Sequence, residues 1–194
     1  MRYKKIQQQY RIFSKRIDTI IKTFDFKPNI NGPTRRQSDK IRAIIVLCHA
    51  EIEDYIEYLA TEIIENAEKR WIKKIIANQN LSALFIYSNI EKKDSFITKS
   101  RQIISDFKKS IKNNHGIKEN NIEKLFEPLG YSIKDFDTSF MAILNSFGTL
   151  RGEIAHQSIR KTQTQLDKKT EVERIQAIVK EIDVFQKELW NKVN

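Results

Sequence analysis

Cysteine is nearly absent from this chain: Cys48 is the only one in 194 residues. No intrachain disulfide can form, and no CxxC pair exists to bind zinc or run thiol redox chemistry. Glycine and proline are scarce as well, at 5 and 3. A sandwich or barrel of many short strands needs more turn residues than that, so long helices are expected. There are three histidines, His49, His115 and His156, far apart and outside any HExxH-type spacing, so neither a metal nor a cofactor site is expected. No stretch approaches the ~18 consecutive apolar residues of a membrane span. The opening Met1-Arg2-Tyr3-Lys4-Lys5 leads into an amphipathic segment rather than an apolar signal core. These absences together predict a soluble protein of a reducing compartment, a cytoplasm, with no membrane partner.

What is present is charge and helical periodicity. The net charge is +10 and 40% of residues are hydrophobic, as in a globular chain rather than a disordered one. A length of 194 residues fits one domain over 1–194. Residues 1–35 carry nine Lys and Arg against Asp18 and Asp25, a balance of +7. Residues 36–67 carry three against seven acids, a balance of −4. An excess of this kind captures polyanions, or else serves as a solvated, solubilising surface.

Tyr3, Ile6, Tyr10, Phe13, Ile17, Ile20 and Phe24 alternate spacings of three and four, the stripe of an amphipathic helix. Pro28 and Asn31-Gly32-Pro33 break it. A second helix is expected from Ser38, nearly all apolar between Ile41 and Ala50 and therefore central, then one-sided toward Trp71 and Ile75-Ile76. Leu81–Tyr87 reads as a short helix or a strand. Ser95–Lys112 reads as a helix, with Asn114-His115-Gly116 supplying its C-cap. A shorter helix covers Asn121–Phe126, and another runs from about Asp137 to His156. After a polar, basic connection over Lys161–Lys169, Thr170-Glu171-Val172-Glu173 matches a capping box opening a last helix to Trp190. The expected fold is all-α, an up-and-down bundle of about five to seven helices. Trp71 and Trp190 fall among apolar neighbours, as core residues do.

One string stands out chemically: Leu150-Arg151-Gly152-Glu153-Ile154-Ala155-His156, near the end of an apolar-periodic segment. Arg151 offers a planar, permanently charged fork, and His156 an imidazole that titrates near neutral pH. Both suit work on a phosphodiester. At ~100° per residue they leave an ideal helix about 140° apart. They converge on one ligand only if the helix frays near His156 or a second copy supplies the opposite wall. Taken singly, they also fit a surface cation and a histidine favoured by the helix dipole. Glu153 lies three residues before His156, within helical reach, where a carboxylate would orient the imidazole. Gly152 costs a helix roughly 1 kcal/mol against Ala; close approach of a backbone or ligand would account for it. His49 and Glu53 form an i,i+4 pair, either a local surface pair or a carboxylate supporting the cleft.

This string resembles the R-x(4–6)-H signature of the HEPN superfamily, compact helical domains many of which are RNases. The helix containing Leu47-Cys48-His49-Ala50-Glu51-Ile52-Glu53-Asp54-Tyr55-Ile56-Glu57 is similar to the long early helix of the RiboL-PSP-HEPN branch. The resemblance implies a metal-independent endoribonuclease, a toxin or antiviral defence effector acting as a homodimer, with two motifs facing across a shared cleft. Arg151 would bind the phosphate and His156 would transfer the proton, with Glu153 and Glu53 in support. An antitoxin or other regulatory protein is a possible partner on the same grounds. Arg11 and Lys15 in the first helix, with Arg160 and Lys161 after the motif, are the candidates for gripping RNA backbone. Family members often carry a polar residue directly after the arginine, where this chain has Gly152. A non-catalytic RNA- or nucleotide-binding module with a degenerate motif is therefore the alternative, and a helical assembly module a third.

Overall fold

A computed structural model describes residues 3–27, 29, 32–74, 78–89, 95–156 and 166–191. Seven α-helices and no strand occur among them: α1 (Tyr3–Thr23), α2 (Arg35–Lys74), α3 (Gln79–Tyr87), α4 (Phe96–Lys112), α5 (Glu119–Phe126), α6 (Thr138–His156) and α7 (Lys168–Asn191). Short 3-10 turns at Glu127–Leu129 and Ile133–Asp135 join α5 to α6. The all-α expectation holds, and Leu81–Tyr87 is helix rather than strand.

The helix α2 is the axis, packing against all six others. Long-range contacts fix the directions of its neighbours. Arg16 pairs with Glu51 at 3.0 Å and Lys5 with Glu62, so α1 runs antiparallel to α2. Lys108 meets Glu68, and Trp71 meets Phe96 edge to face, so α4 does the same. The Tyr10 hydroxyl donates to the Val179 carbonyl at 2.9 Å, while Tyr3 stacks on Trp190. Thus α7 descends beside α1 in the opposite sense. The predicted stripe of α1 is the face that packs: Ile6, Phe13, Ile17 and Ile20 are buried.

Several boundaries differ from the sequence reading, among them α5, which begins at Glu119 rather than Asn121. The helix α2 starts at Arg35, not Ser38, because Thr34 and Gln37 form a reciprocal cap: the Thr34 amide donates to Gln37 Oε1 at 2.7 Å and the Gln37 amide to Thr34 Oγ1 at 3.3 Å. For α7 the cap is Asp167, whose carboxylate accepts from the Thr170 amide at 2.8 Å and the Thr170 hydroxyl at 2.9 Å. Asn113 caps α4, leaving His115 and Gly116 in the following turn. Nor is α2 enclosed over all of Ile41–Ala50: Leu47 is 39% exposed, and Ala50 is exposed too.

Several helix ends gather at the pole of the bundle that carries the motif. There Lys168 at the start of α7 pairs with Asp25, donates to the Phe26 carbonyl at 2.8 Å and sits over the Phe26 ring.

Candidate functional site

The local sequence builds α6 as a packing helix with one functional end. Asp137 caps it, accepting from the Phe140 amide at 2.8 Å. Phe140, Leu144, Phe147, Leu150 and Ile154 are buried, which sets the rotation of the helix. Arg151 then falls on the flank toward α2. It is half-buried, and its Nε is sealed from solvent without a hydrogen-bond partner. His156 is the last helical residue and is exposed. The helix keeps its geometry through His156, so the two side chains do diverge by about 140°. Fraying does not bring them together.

Around Arg151 the fold assembles groups from three places. On α2, Glu53 has a side chain only 18% exposed. Its Oε1 accepts from the Gly116 amide at 2.5 Å. Its Oε2 lies 3.4 Å from His49 Nδ1, a contact without hydrogen-bond alignment. His49 is itself buried, its ring stacked on Phe147 one turn before Arg151. Burial pushes the Glu53 carboxyl up, but the His49 imidazole, the Gly116 amide and the Arg151 charge outweigh it and hold its pKa below the ordinary value. Gly116 has φ +131°, a conformation that favours glycine, and that turn aims its N–H at Glu53. Asn114 fixes the turn, donating to Glu57 and to the Gly116 carbonyl, each at 3.1 Å.

The end of α6 is held from α2. Arg42 donates from a guanidinium nitrogen to the Ile154 carbonyl at 2.8 Å. Sequence reading missed Arg42, although one signal was there: a lone cation between Ile41 and the apolar run Ala43–Cys48.

The other anticipated residues are dispersed. Glu153 forms no ion pair with His156; it lines a cleft of about 420 Å³ between α6 and α7 with Thr149, Glu171 and Arg174. Arg11 and Lys15 are exposed on the α1 face opposite its buried stripe, and α1 packs on α2 and α7. Arg160 and Lys161 lie outside the described residues. Gly152 has open space: a Cβ built there meets nothing within 4 Å. No other part of the described chain requires a glycine at that position.

A motif at the C-terminal turn of the sixth helix, an acidic residue on the long second helix beside the arginine, and an all-α frame now stand together. The model of the RiboL-PSP-HEPN family matches residues 11–191. This chain belongs to the RiboL-PSP-HEPN family. The expected kinship with the RiboL-PSP-HEPN branch thus holds over nearly the whole length. No curated protein and no solved structure matches the chain.

Within this HEPN chain no three His, Cys, Asp or Glu side chains of the described residues cluster as metal ligands would. No helix among them is long and apolar enough to cross a membrane.

Proposed function

We propose that this HEPN protein is an endoribonuclease that cleaves RNA by attack of a ribose 2′-OH on the adjacent phosphorus, and that it acts as a homodimer. The observation that carries the reading is the divergence of Arg151 and His156 on an unbroken helix, with open space at Gly152 between them. A second motif facing the first would bring the arginine of one copy to the histidine of the other.

The residues suit the steps. The 2′-OH must lose a proton, the phosphoryl oxygens gain negative charge, and the 5′-oxygen leaves with a proton. Arg151 grips the non-bridging oxygens bidentately through its planar fork. His156 exchanges the proton. Glu53 acts on Arg151 as a positioning residue, since its carboxylate is already fixed by Gly116. Membership of a family rich in RNases supports the reading, as does the basic surface, which favours RNA capture. A toxin or defence role with a restraining protein partner, in a cytoplasm, is part of the same proposal.

Purified protein is incubated with single-stranded RNA in excess EDTA. Products ending in 2′,3′-cyclic phosphate are expected, with Arg151→Ala and His156→Ala each slowing cleavage by about 10²-fold or more. Undiminished cutting by both variants would falsify this mechanism. Salt-sensitive RNA binding without cleavage would instead favour the non-catalytic module, which Gly152 after the arginine supports.

A further inference from the structure

The turn that touches Glu53 also forms one wall of a separate groove. This groove, of about 690 Å³, lies between α3, α4 and α5. Its floor is apolar, with Leu84, Phe107 and Leu125 buried beneath it. Its rim carries Tyr87, 62% exposed, together with exposed His115 and Lys124. A size of this order, with an apolar floor and a few polar groups, is typical of sites for small organic groups.

The chemistry of the rim narrows the ligand. Asn114 and Asn121 also line the groove, but their amides are spent on the turn: Asn114 holds Glu57 and Gly116, and Asn121 donates to Asn114 Oδ1 at 3.2 Å. The Asp106 carboxylate is met by Gln102 at 2.8 Å and Lys109 at 3.0 Å, so its charge is compensated. Beside the small polar Ser88, Ser110 and Asn113, that leaves an aromatic face, an imidazole and an ammonium around an apolar floor. A flat base with an attached phosphate fits all of them.

Position ties the groove to the motif. His115 is adjacent to Gly116, whose amide is on Glu53, and Glu53 feels the charge of Arg151. We propose that the α3–α4–α5 groove is a nucleotide subsite, holding a base of the RNA strand near the phosphate that Arg151 engages. The proposal rests on the ribonuclease reading for the choice of polymer. Tyr87 would stack on the base, while His115 and Lys124 face its phosphate.

The test uses a cleavage-silenced chain, Arg151→Ala with His156→Ala, and single-stranded RNA containing 4-thiouridine. Irradiation should cross-link RNA to peptides containing Tyr87 or His115. Adding Tyr87→Ala should weaken RNA binding at least about 5-fold, the lower end of aromatic–base stacking, whereas Tyr87→Phe keeps it. Cross-links confined to α1 and α6, with affinity unchanged by Tyr87→Ala, would overturn the subsite. So would adenosine or uridine monophosphate binding as tightly as the RNA, which would make the ligand a free nucleotide. Cleavage by the unmodified chain is scored separately. Its absence alongside cross-links at Tyr87 sinks the ribonuclease reading and keeps the groove.

Discussion

Arg42 near the start of α2 is bonded to Ile154 near the end of α6, 112 residues later, at 2.8 Å. The last four carbonyls of any helix lack partners within it, and the dipole makes that end negative. Arg42 answers both conditions, and it does so two residues from His156. Replacing it with Ala should cost about 1.5–3 kcal/mol, the range for hydrogen bonds to charged groups. Urea denaturation at pH 7 measures the loss. RNA cleavage should fall by more than the folded fraction does, because the end of the motif helix loosens first.

Gly152→Ala should separate folding from function. The new methyl group meets nothing within 4 Å in the chain, and Ala is the better helix former by up to about 1 kcal/mol. The isolated chain is expected to melt a few degrees higher. Under the proposed shared cleft, cleavage is expected to drop, because the methyl would intrude where the second copy or the RNA would approach. A calorimetric scan beside a cleavage assay decides it; a variant that gains stability and retains full activity contradicts the shared cleft.

For Glu53 the prediction carries a sign in pH. Its folded-state pKa lies below the ordinary 4.5, so its contribution is present above that value and is lost as pH falls toward the folded one. Glu53→Gln should therefore cost about 1 kcal/mol at neutral pH, the difference between a charged and a neutral acceptor for the Gly116 amide. Denaturation curves of parent and variant should draw together below pH 4.5. A gap independent of pH would show that the Glu53 charge contributes nothing to folding.

Glu171 should behave in the opposite way. It is 6% exposed in the cleft beside Glu153, and desolvation outweighs the pull of Arg174, raising its pKa above 4.5. Raised acids oppose folding once ionised, so stability is lost as pH climbs through 4.5 toward the folded value. Glu171→Gln is expected to stabilise the protein at pH 7 and to lose that advantage in acid. Thermal melts across the range give the answer directly.

The helices were legible because their signals are local. The stripe from Tyr3 to Phe24 is a pattern of spacings, and its residues pack as the spacing required. Cap positions shifted by four and three residues where two local candidates competed: Thr34 with Gln37 prevailed over Ser38, and Asp167 over Thr170. The candidate site was legible only in part. Arg151 and His156 declared themselves by residue type, and Glu53 by its pairing with His49. Gly116 on Glu53 and Arg42 on Ile154 join positions 63 and 112 apart. No periodicity encodes such contacts; packing α6 and the α4–α5 turn against one axis creates them. His115 was misplaced for the same reason, since its meaning lies in which groove the turn borders.

Cys48 has a consequence for experiment. It is wholly enclosed, and burial, with the nearby Glu51 charge adding to it, pushes its thiol up to about 12. Only the thiolate reacts readily, so the folded chain is silent toward thiol reagents at neutral pH. Any cysteine introduced on the surface becomes the sole addressable label. Ala155→Cys, exposed beside His156, would place one spin label or fluorophore per copy at the motif itself, turning the spacing between two copies into a directly measurable distance.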